Sequence, residues 1–320
     1  MYEKNHQRRW GRWIGLGVAA GLIYTVGLAC RAKNSGPSAP PQPSADSRTV
    51  VEDGSIVQAD ASNSSGTMTP SRTSVRPARS VHPPKPLTPE AIAELRGRIA
   101  SADGYGARIE ARRSLFHQLR KHGQLDLALP ELNSLLDEVE RREGRAMAQR
   151  VAFSIAGNLV RQKDHNSAIG AYTVLLERYG DGPFAAEALL HLGSCRLELH
   201  EYVEAEKVWR RLIEGFDETA QAPWGWRKLA LAQLLQGKFE KSLATLEMMA
   251  GKYAGTQFGE YARMRQGYVL MAAGRLAEAK ASYADFLTTC SNGKYCRLAQ
   301  DQLAKVDQAL TVARADGRQR

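Results

Sequence analysis

The sequence has little cysteine and none of the common signatures of catalysis. Four cysteines in 320 residues are too few to build a fold on disulfide bonds. We find no nucleophile elbow, phosphate-binding glycine loop, zinc-protease helix or dinucleotide-binding turn. His191 and Cys195 have a spacing that could hold a metal, but no third or fourth ligand lies near them in the sequence. We therefore predict a protein without enzymatic activity, cofactor or metal.

A large excess of positive charge is also missing from the part of the chain that we expect to fold. The net charge is +10, from 44 basic and 34 acidic residues. Residues 1–33 hold six basic residues and one acidic residue, whereas residues 88–320 hold 33 basic and 29 acidic residues. A nucleic-acid-binding module concentrates positive charge on its folded surface. The distribution therefore predicts no nucleic-acid partner.

Residues 1–33 have the pattern of a membrane anchor or a secretion signal. A basic segment precedes the run from Trp13 to Cys30, which has eighteen residues without a charge. As a helix this run would be about 27 Å long, against about 30 Å for the core of a bilayer. The basic residues before the run outnumber those just after it. This bias predicts an N-terminus in the cytoplasm and the rest of the chain outside it.

Three interpretations of this segment remain open. It is a single-pass anchor in the inner membrane with a periplasmic C-terminal domain, a lipoprotein signal that leads to the outer membrane, or a cleaved signal peptide. The sequence Gly27-Leu28-Ala29-Cys30 resembles a lipobox, in which Cys30 would be lipidated, but Gly27 stands where a leucine is usual. All three interpretations place the folded part outside the cytoplasm, in the cell envelope.

Two regions of different composition follow the N-terminal segment. Residues 34–87 predict a disordered linker, because proline and serine dominate and large apolar residues are few. A flexible chain of this length spans roughly 40 Å. A helical pattern begins at Thr88, which can cap a helix that starts with Pro89 and has one apolar face formed by Ile92, Leu95 and Ile99. Residues 88–320 show no β-type alternation, so we predict an all-α domain.

A fixed period of 37 residues runs through this domain. Small residues recur at two places in each period, at Ala168, Ala205, Ser242 and Ala279 and, twelve residues earlier, at Ala156, Gly193, Ala230 and Gly267. A bulky residue stands four positions after each member of the first set, at Tyr172, Trp209, Leu246 and Tyr283. Such a period is typical of stacked helix pairs, in which small residues let two helices approach closely. We expect the bulky residues to fill the gap against the next pair.

This pattern resembles the tetratricopeptide repeat over about residues 108–315, through its small residues and through Trp226. The resemblance implies a right-handed superhelical solenoid of antiparallel helix pairs. The main copies cover about residues 149–293, a looser copy about 108–145 and a capping helix about 294–314. The period is longer than the family's most common one, which suggests a sub-type. Residues 178–188 and 252–258 are similar to linkers in cell-envelope proteins of the BamD and CpoB type.

The resemblance also implies a concave groove lined by the first helix of each pair. The family's groove positions fall on Arg150, Phe153, Glu187, Leu190, Trp224, Arg227, Tyr261, Met264 and Tyr268. Aromatic residues and arginine are enriched at binding hot spots, so we expect a protein or peptide partner there, chiefly at Trp224, Arg227, Tyr261 and Tyr268. The alternative is that some of these side chains are buried against the neighbouring pair. The family's clamp for peptide carboxyl termini is not reproduced.

Cys290 and Cys296 bracket the turn before the capping helix. In an oxidising compartment they could form a disulfide that pins this helix, and the alternative is two separate thiols. An anchor, a linker and a repeat domain in series predict a membrane-tethered scaffold or adaptor of the bacterial cell envelope. The alternatives are a module that binds peptidoglycan and a scaffold that associates with itself as a homo-oligomer.

Overall fold

The structure, a computed structural model, describes residues 85–290 and 293–317. These residues form twelve α-helices and no strand, which confirms the predicted all-α class. The helices are α1 (Pro89–Ala100), α2 (Gly104–Lys121), α3 (Leu125–Glu143), α4 (Arg145–Arg161), α5 (His165–Tyr179), α6 (Ala185–Glu198), α7 (Tyr202–Gly215), α8 (Ala222–Leu235), α9 (Phe239–Lys252), α10 (Gln257–Ala272), α11 (Leu276–Thr289) and α12 (Lys294–Gly317). The predicted membrane segment and nearly all of the predicted linker lie outside the described residues.

The helices pack in their order along the chain, which confirms the predicted succession of helix pairs. Each helix from α1 to α11 contacts the helix that follows it. The pairs are α2 with α3, α4 with α5, α6 with α7, α8 with α9, and α10 with α11, and α12 packs against both helices of the last pair. The first helices α6, α8 and α10 also contact one another in turn. They therefore present one continuous face.

Helix α1 begins as the sequence predicts. Thr88 Oγ1 accepts a hydrogen bond from the backbone N–H of Ala91 at 3.3 Å, and Ile92 and Ile99 are buried. Just before this helix, the Gln124 side chain accepts a hydrogen bond from the Leu87 N–H at 2.9 Å and donates one to the Leu87 carbonyl at 3.1 Å. The chain is therefore fixed to the turn between α2 and α3 where the described part begins.

The periodic residues form the interior of the helix pairs, and all of them are buried. Trp209 lies over Gly193 of its own pair so closely that a methyl group at Gly193 would come within 2.5 Å of the indole ring. Tyr283 covers Gly267 in the same way, and a methyl group there would lie 2.6 Å from the phenol ring. We expected the bulky residues to fill the gap to the next pair. The structure shows that Trp209 and Tyr283 pack on the small residue of their own pair.

The turn inside each pair repeats a left-handed backbone conformation at the same interval. Lys163, His200, Gly237 and Gly274 have φ angles of 59°, 60°, 71° and 75°. Glycine adopts this conformation without strain, whereas a residue with a Cβ does so at some cost in free energy. The period therefore extends from the side chains to the backbone of the turns.

A buried polar group connects α7 to α8 and to the turn that follows α8, close to where the apolar core divides into two clusters. The first cluster extends from Ile92 to Ala232, and the second extends from Ala230 to Val306. Glu206 is only 7% exposed, and its carboxylate accepts hydrogen bonds at 2.9–3.3 Å from four side chains, those of Arg210, Gln233, Gln236 and Lys238. Burial by itself raises the pKa of this carboxyl, but the donors outweigh burial and lower the pKa to about 2.

The contact between Trp209 and Gly193 predicts a large effect of one methyl group. We expect Gly193→Ala to lower the free energy of unfolding by about 1–3 kcal/mol, because the indole ring must move out of a packed core. A second substitution, Trp209→Leu, should remove part of this penalty, since the pair then matches Ala230 and Leu246. Urea denaturation of the two single variants and the double variant measures the coupling.

Gly251→Ala is the matched control, because a methyl group at Gly251 in α9 meets no atom within 4 Å. It should leave the protein as stable or slightly more stable, since alanine favours a helix over glycine. Equal losses of stability in Gly193→Ala and Gly251→Ala would contradict the proposed packing.

The lowered pKa of Glu206 predicts a stability that depends on pH. The ionised carboxylate stabilises the fold above a pH of about 4.5, and this contribution is lost as the pH falls towards 2. Glu206→Gln should therefore lower the free energy of unfolding by on the order of 2 kcal/mol at neutral pH, and by much less near pH 2. Denaturant titrations across this range test the prediction. Glu204→Gln on the same helix removes an exposed ion pair with Lys207 and should change stability little at any pH.

Candidate binding groove

The predicted groove residues lie on the first helices of the four main pairs. Helix α4 carries Arg150 and Phe153, α6 carries Glu187 and Leu190, α8 carries Trp224 and Arg227, and α10 carries Tyr261, Met264 and Tyr268. Arg150 is exposed, and Trp224 is 42% exposed, which is unusual for so large an apolar side chain. Phe153, Glu187, Leu190, Arg227 and Tyr268 are half-buried. These seven residues therefore leave surface that a partner can reach.

Tyr261 and Met264 require a correction, because the structure buries both. Their exposures are 5% and 2%, and they belong to the second apolar cluster. The ring of Tyr261 meets the edge of Tyr295 on α12, with centroids 5.8 Å apart. The capping helix packs against α10 and covers this part of its surface. The family's groove positions describe repeats in the middle of an array, where no capping helix covers the first helix of the pair.

Five side chains on α8 and α10 alternate between aromatic rings and guanidinium groups. The Arg227 guanidinium carbon lies 4.8 Å from the ring centroid of Trp224 and 4.0 Å from that of Tyr261. The Arg265 guanidinium carbon lies 5.9 Å from the centroid of Tyr261 and 4.3 Å from that of Tyr268. These distances are those of cation–π contacts. We call Trp224, Arg227, Tyr261, Arg265 and Tyr268 the cation–π ladder.

Two residues of this surface were not predicted from the sequence, Arg265 in the ladder and Phe258 beside it. Arg265 lies outside the family's groove positions. It stands four residues after Tyr261 and three before Tyr268 on one helix, and this spacing could have predicted that the three side chains are neighbours. Phe258, at the start of α10, meets the ring of Trp224 edge-on at 5.5 Å between centroids. Contacts with Arg227 and Phe258 therefore hold the Trp224 ring in place although it is exposed.

A second aromatic group lies on the preceding pairs. Phe153 stacks on Phe184 with centroids 5.1 Å apart, and it also meets Tyr172 at 6.1 Å. The imidazole of His191 stacks on Tyr172 at 5.9 Å, and its Nε2 lies 3.7 Å from the carboxylate of Glu187. His191 contacts both Phe153 and Glu187, and it therefore connects these two predicted groove residues.

His191 and Cys195 do not form a metal site with other residues. Cys195 is 1% exposed, and burial raises the pKa of its thiol to about 12. A thiol with such a pKa stays protonated and is a poor metal ligand. Within residues 85–290 and 293–313, no group of three or more His, Cys, Asp or Glu side chains is placed to hold a metal ion.

Cys290 and Cys296 are joined by a disulfide, with their Cα atoms 6.0 Å apart. Cys290 follows the last residue of α11, and Cys296 lies in the first turn of α12, directly after Tyr295. Closing this short loop restricts the unfolded chain at this point. The bond therefore holds the start of α12, which carries the ring that covers Tyr261.

A family model described as a tetratricopeptide repeat-like domain matches residues 117–308, more than half of the chain. The chain belongs to the tetratricopeptide repeat-like family. Repeats of this family generally form scaffolds for interactions between proteins. No curated protein sequence matches this tetratricopeptide repeat-like chain.

Solved structures of tetratricopeptide repeat proteins are similar to this chain at low sequence identity. A tetratricopeptide repeat protein from Parabacteroides merdae is 16% identical with a TM-score of 0.38, over 69% of this chain and 79% of that one. A thermophilic protein of the same kind from Thermus thermophilus is 17% identical with a TM-score of 0.36, over 62% and 98%. The TPR2AB domain of yeast Sti1, solved as a complex with pHSP90, is 14% identical with a TM-score of 0.34, over 68% and 99%.

Proposed function

We propose that this tetratricopeptide repeat-like protein is a non-catalytic scaffold that binds a protein or peptide partner on the face formed by its first helices. The observation that carries the proposal is the cation–π ladder, which presents the half-exposed ring of Trp224 beside Arg227 and, at its other end, the half-buried ring of Tyr268 beside Arg265. Tryptophan, tyrosine and arginine are the residue types that dominate binding energy at protein interfaces.

The packing of the ladder supports binding in a second way. Arg227 is stacked between two rings, and Trp224 also meets Phe258, so these side chains are already ordered without a partner. Association normally includes a cost of about 0.5–1.5 kcal/mol for each long side chain that becomes fixed. A surface ordered in advance avoids part of this cost. Tyr261 contributes the ring that both guanidinium groups contact, and like Met264 it has little surface of its own.

We further propose that the protein acts in the bacterial cell envelope, tethered by residues 13–30 through the linker that follows. The proposal rests on the sequence pattern of residues 1–87 and on the resemblance of two linkers to those of envelope proteins of the BamD and CpoB type. Within the described part of the chain, no helix has the length and the apolar character needed to cross a membrane. The proposed anchor lies outside that part.

The proposed binding surface predicts the effect of two substitutions in the full-length protein. Trp224→Ala combined with Tyr268→Ala should weaken binding of the partner at least 30-fold, since a loss of about 2 kcal/mol is typical of hot-spot residues. Recovery of bound proteins from solubilised envelopes, quantified by mass spectrometry, measures the effect. Met248→Ala is the matched control, because Met248 is 55% exposed but lies on α9, the second helix of its pair.

Two outcomes would contradict this proposal. The same proteins recovered in equal amounts by the wild type and the double variant would show that the partner binds elsewhere. Tight binding to isolated peptidoglycan with no protein partner would favour the cell-wall module instead.

The proposed anchor predicts the mass of the protein purified from membranes. We expect a chain that retains residues 1–30, because a retained signal anchor is not cleaved. Intact mass spectrometry of the N-terminal peptide distinguishes the three interpretations in one measurement. A mature chain that begins at a lipidated Cys30, or one that begins beyond it without lipid, would contradict the single-pass anchor.

A further inference from the structure

The charges of the main repeats are divided between the two kinds of helix, although the whole domain is nearly balanced. The first helices α4, α6, α8 and α10 carry eight basic residues and three acidic ones. The second helices α5, α7, α9 and α11 carry seven basic residues and eight acidic ones. The first helices therefore carry a net positive charge, whereas the second helices are close to neutral.

Many arginines on this domain are neutralised by a neighbour, but Arg265 is not. Arg145 pairs with Asp181, Arg196 pairs with Glu201, and Arg263 on the same helix pairs with Asp285 at 3.2 Å. Among the residues that the structure describes, no carboxylate lies within the 4.0 Å that defines an ion pair around the Arg265 guanidinium. The positive charge of Arg265 is therefore available to a ligand.

The stacking of Arg265 on Tyr268 determines which groups it can bind. A guanidinium that lies over an aromatic ring uses its flat face for the ring, so its N–H donors point outward in the guanidinium plane. Donors arranged in this way match the two oxygens of a carboxylate. The neighbouring Tyr268 is half-exposed and supplies apolar contact beside the charge.

The same stacking disfavours a sugar as the ligand. Sugars bind proteins by stacking on open aromatic faces, but guanidinium groups lie over the rings of Trp224, Tyr261 and Tyr268. A segment of polypeptide needs no open ring face, because it can place a carboxylate against Arg265 and apolar side chains beside the rings.

We infer that the cation–π ladder selects an acidic peptide segment, in which a carboxylate meets Arg265 beside the ring of Tyr268 on α10. This inference rests on the proposed function, since it names the chemistry of the partner at the same surface. It differs from recognition of a peptide terminus, because the carboxylates are side chains within the segment. A basic segment would be repelled by the same face.

The test uses the full-length protein in detergent and two fluorescent peptides. One is a twelve-residue peptide with four glutamates and two leucines, and its twin has lysine in place of each glutamate. Fluorescence anisotropy should show binding of the acidic peptide at least tenfold tighter than that of the twin, and weaker as salt is raised. Arg265→Gln should reduce the affinity for the acidic peptide about tenfold, and Arg265→Glu should reverse the preference between the two peptides.

Arg263→Gln is the matched control on the same helix, and it should leave the preference unchanged because Arg263 is already paired with Asp285. Thermal melts followed by circular dichroism check that all variants remain folded. Equal affinity for the two peptides, or equal effects of Arg263→Gln and Arg265→Gln, would overturn the inference. Tighter binding of a soluble peptidoglycan fragment or of a single-stranded oligonucleotide than of the acidic peptide would also overturn it.

The two proposals fail in different ways. In one outcome, Trp224→Ala with Tyr268→Ala abolishes binding of the natural partner, but Arg265→Gln and Arg265→Glu do not alter the peptide preference. This outcome would support the proposed binding surface and contradict its specificity for acidic segments. If the double alanine variant still binds the natural partner, the proposed binding surface is wrong, regardless of the results with the peptides.

Discussion

The fold depends on the contact of a bulky side chain with a small residue across a helix pair. Where the bulky residue is Trp209 or Tyr283, the residue beneath it is glycine, and even one methyl group would collide with the ring. This contact sets how closely the two helices approach. Each pair in turn packs on its neighbours along the array.

The candidate binding surface follows from that contact. Gly267 lies on α10 between Arg265 and Tyr268, so the ring of Tyr283 supports the part of the helix that carries the ladder. Because α8 and α10 are neighbours, the side chains of Trp224 and Tyr261 can share the guanidinium of Arg227. The disulfide at the start of α12 holds the other side, where Tyr295 covers Tyr261.

The repeat itself could be predicted from sequence, because small and bulky residues recur at a constant interval and only stacked pairs satisfy such a pattern. The helix start at Thr88 was predictable for the same reason, since capping is a local interaction. The burial of Tyr261 was not, because it depends on how the predicted capping helix packs, and no local pattern shows that its Tyr295 covers this ring. The difference in net charge between first and second helices could be found only once the helix bounds were known, because the charges nearly cancel over the whole domain.

The packing of Tyr283 on Gly267 holds the surface of α10, and this support is independent of distant pairs. Hydrogen exchange of the full-length protein carrying Tyr283→Leu tests this directly. We expect faster exchange of backbone amides in α10, α11 and α12, with α2 to α6 protected as in the wild type, because local opening in such an array affects its neighbours first. Unchanged exchange in α10, or an equal loss of protection from α2 to α12, would contradict it.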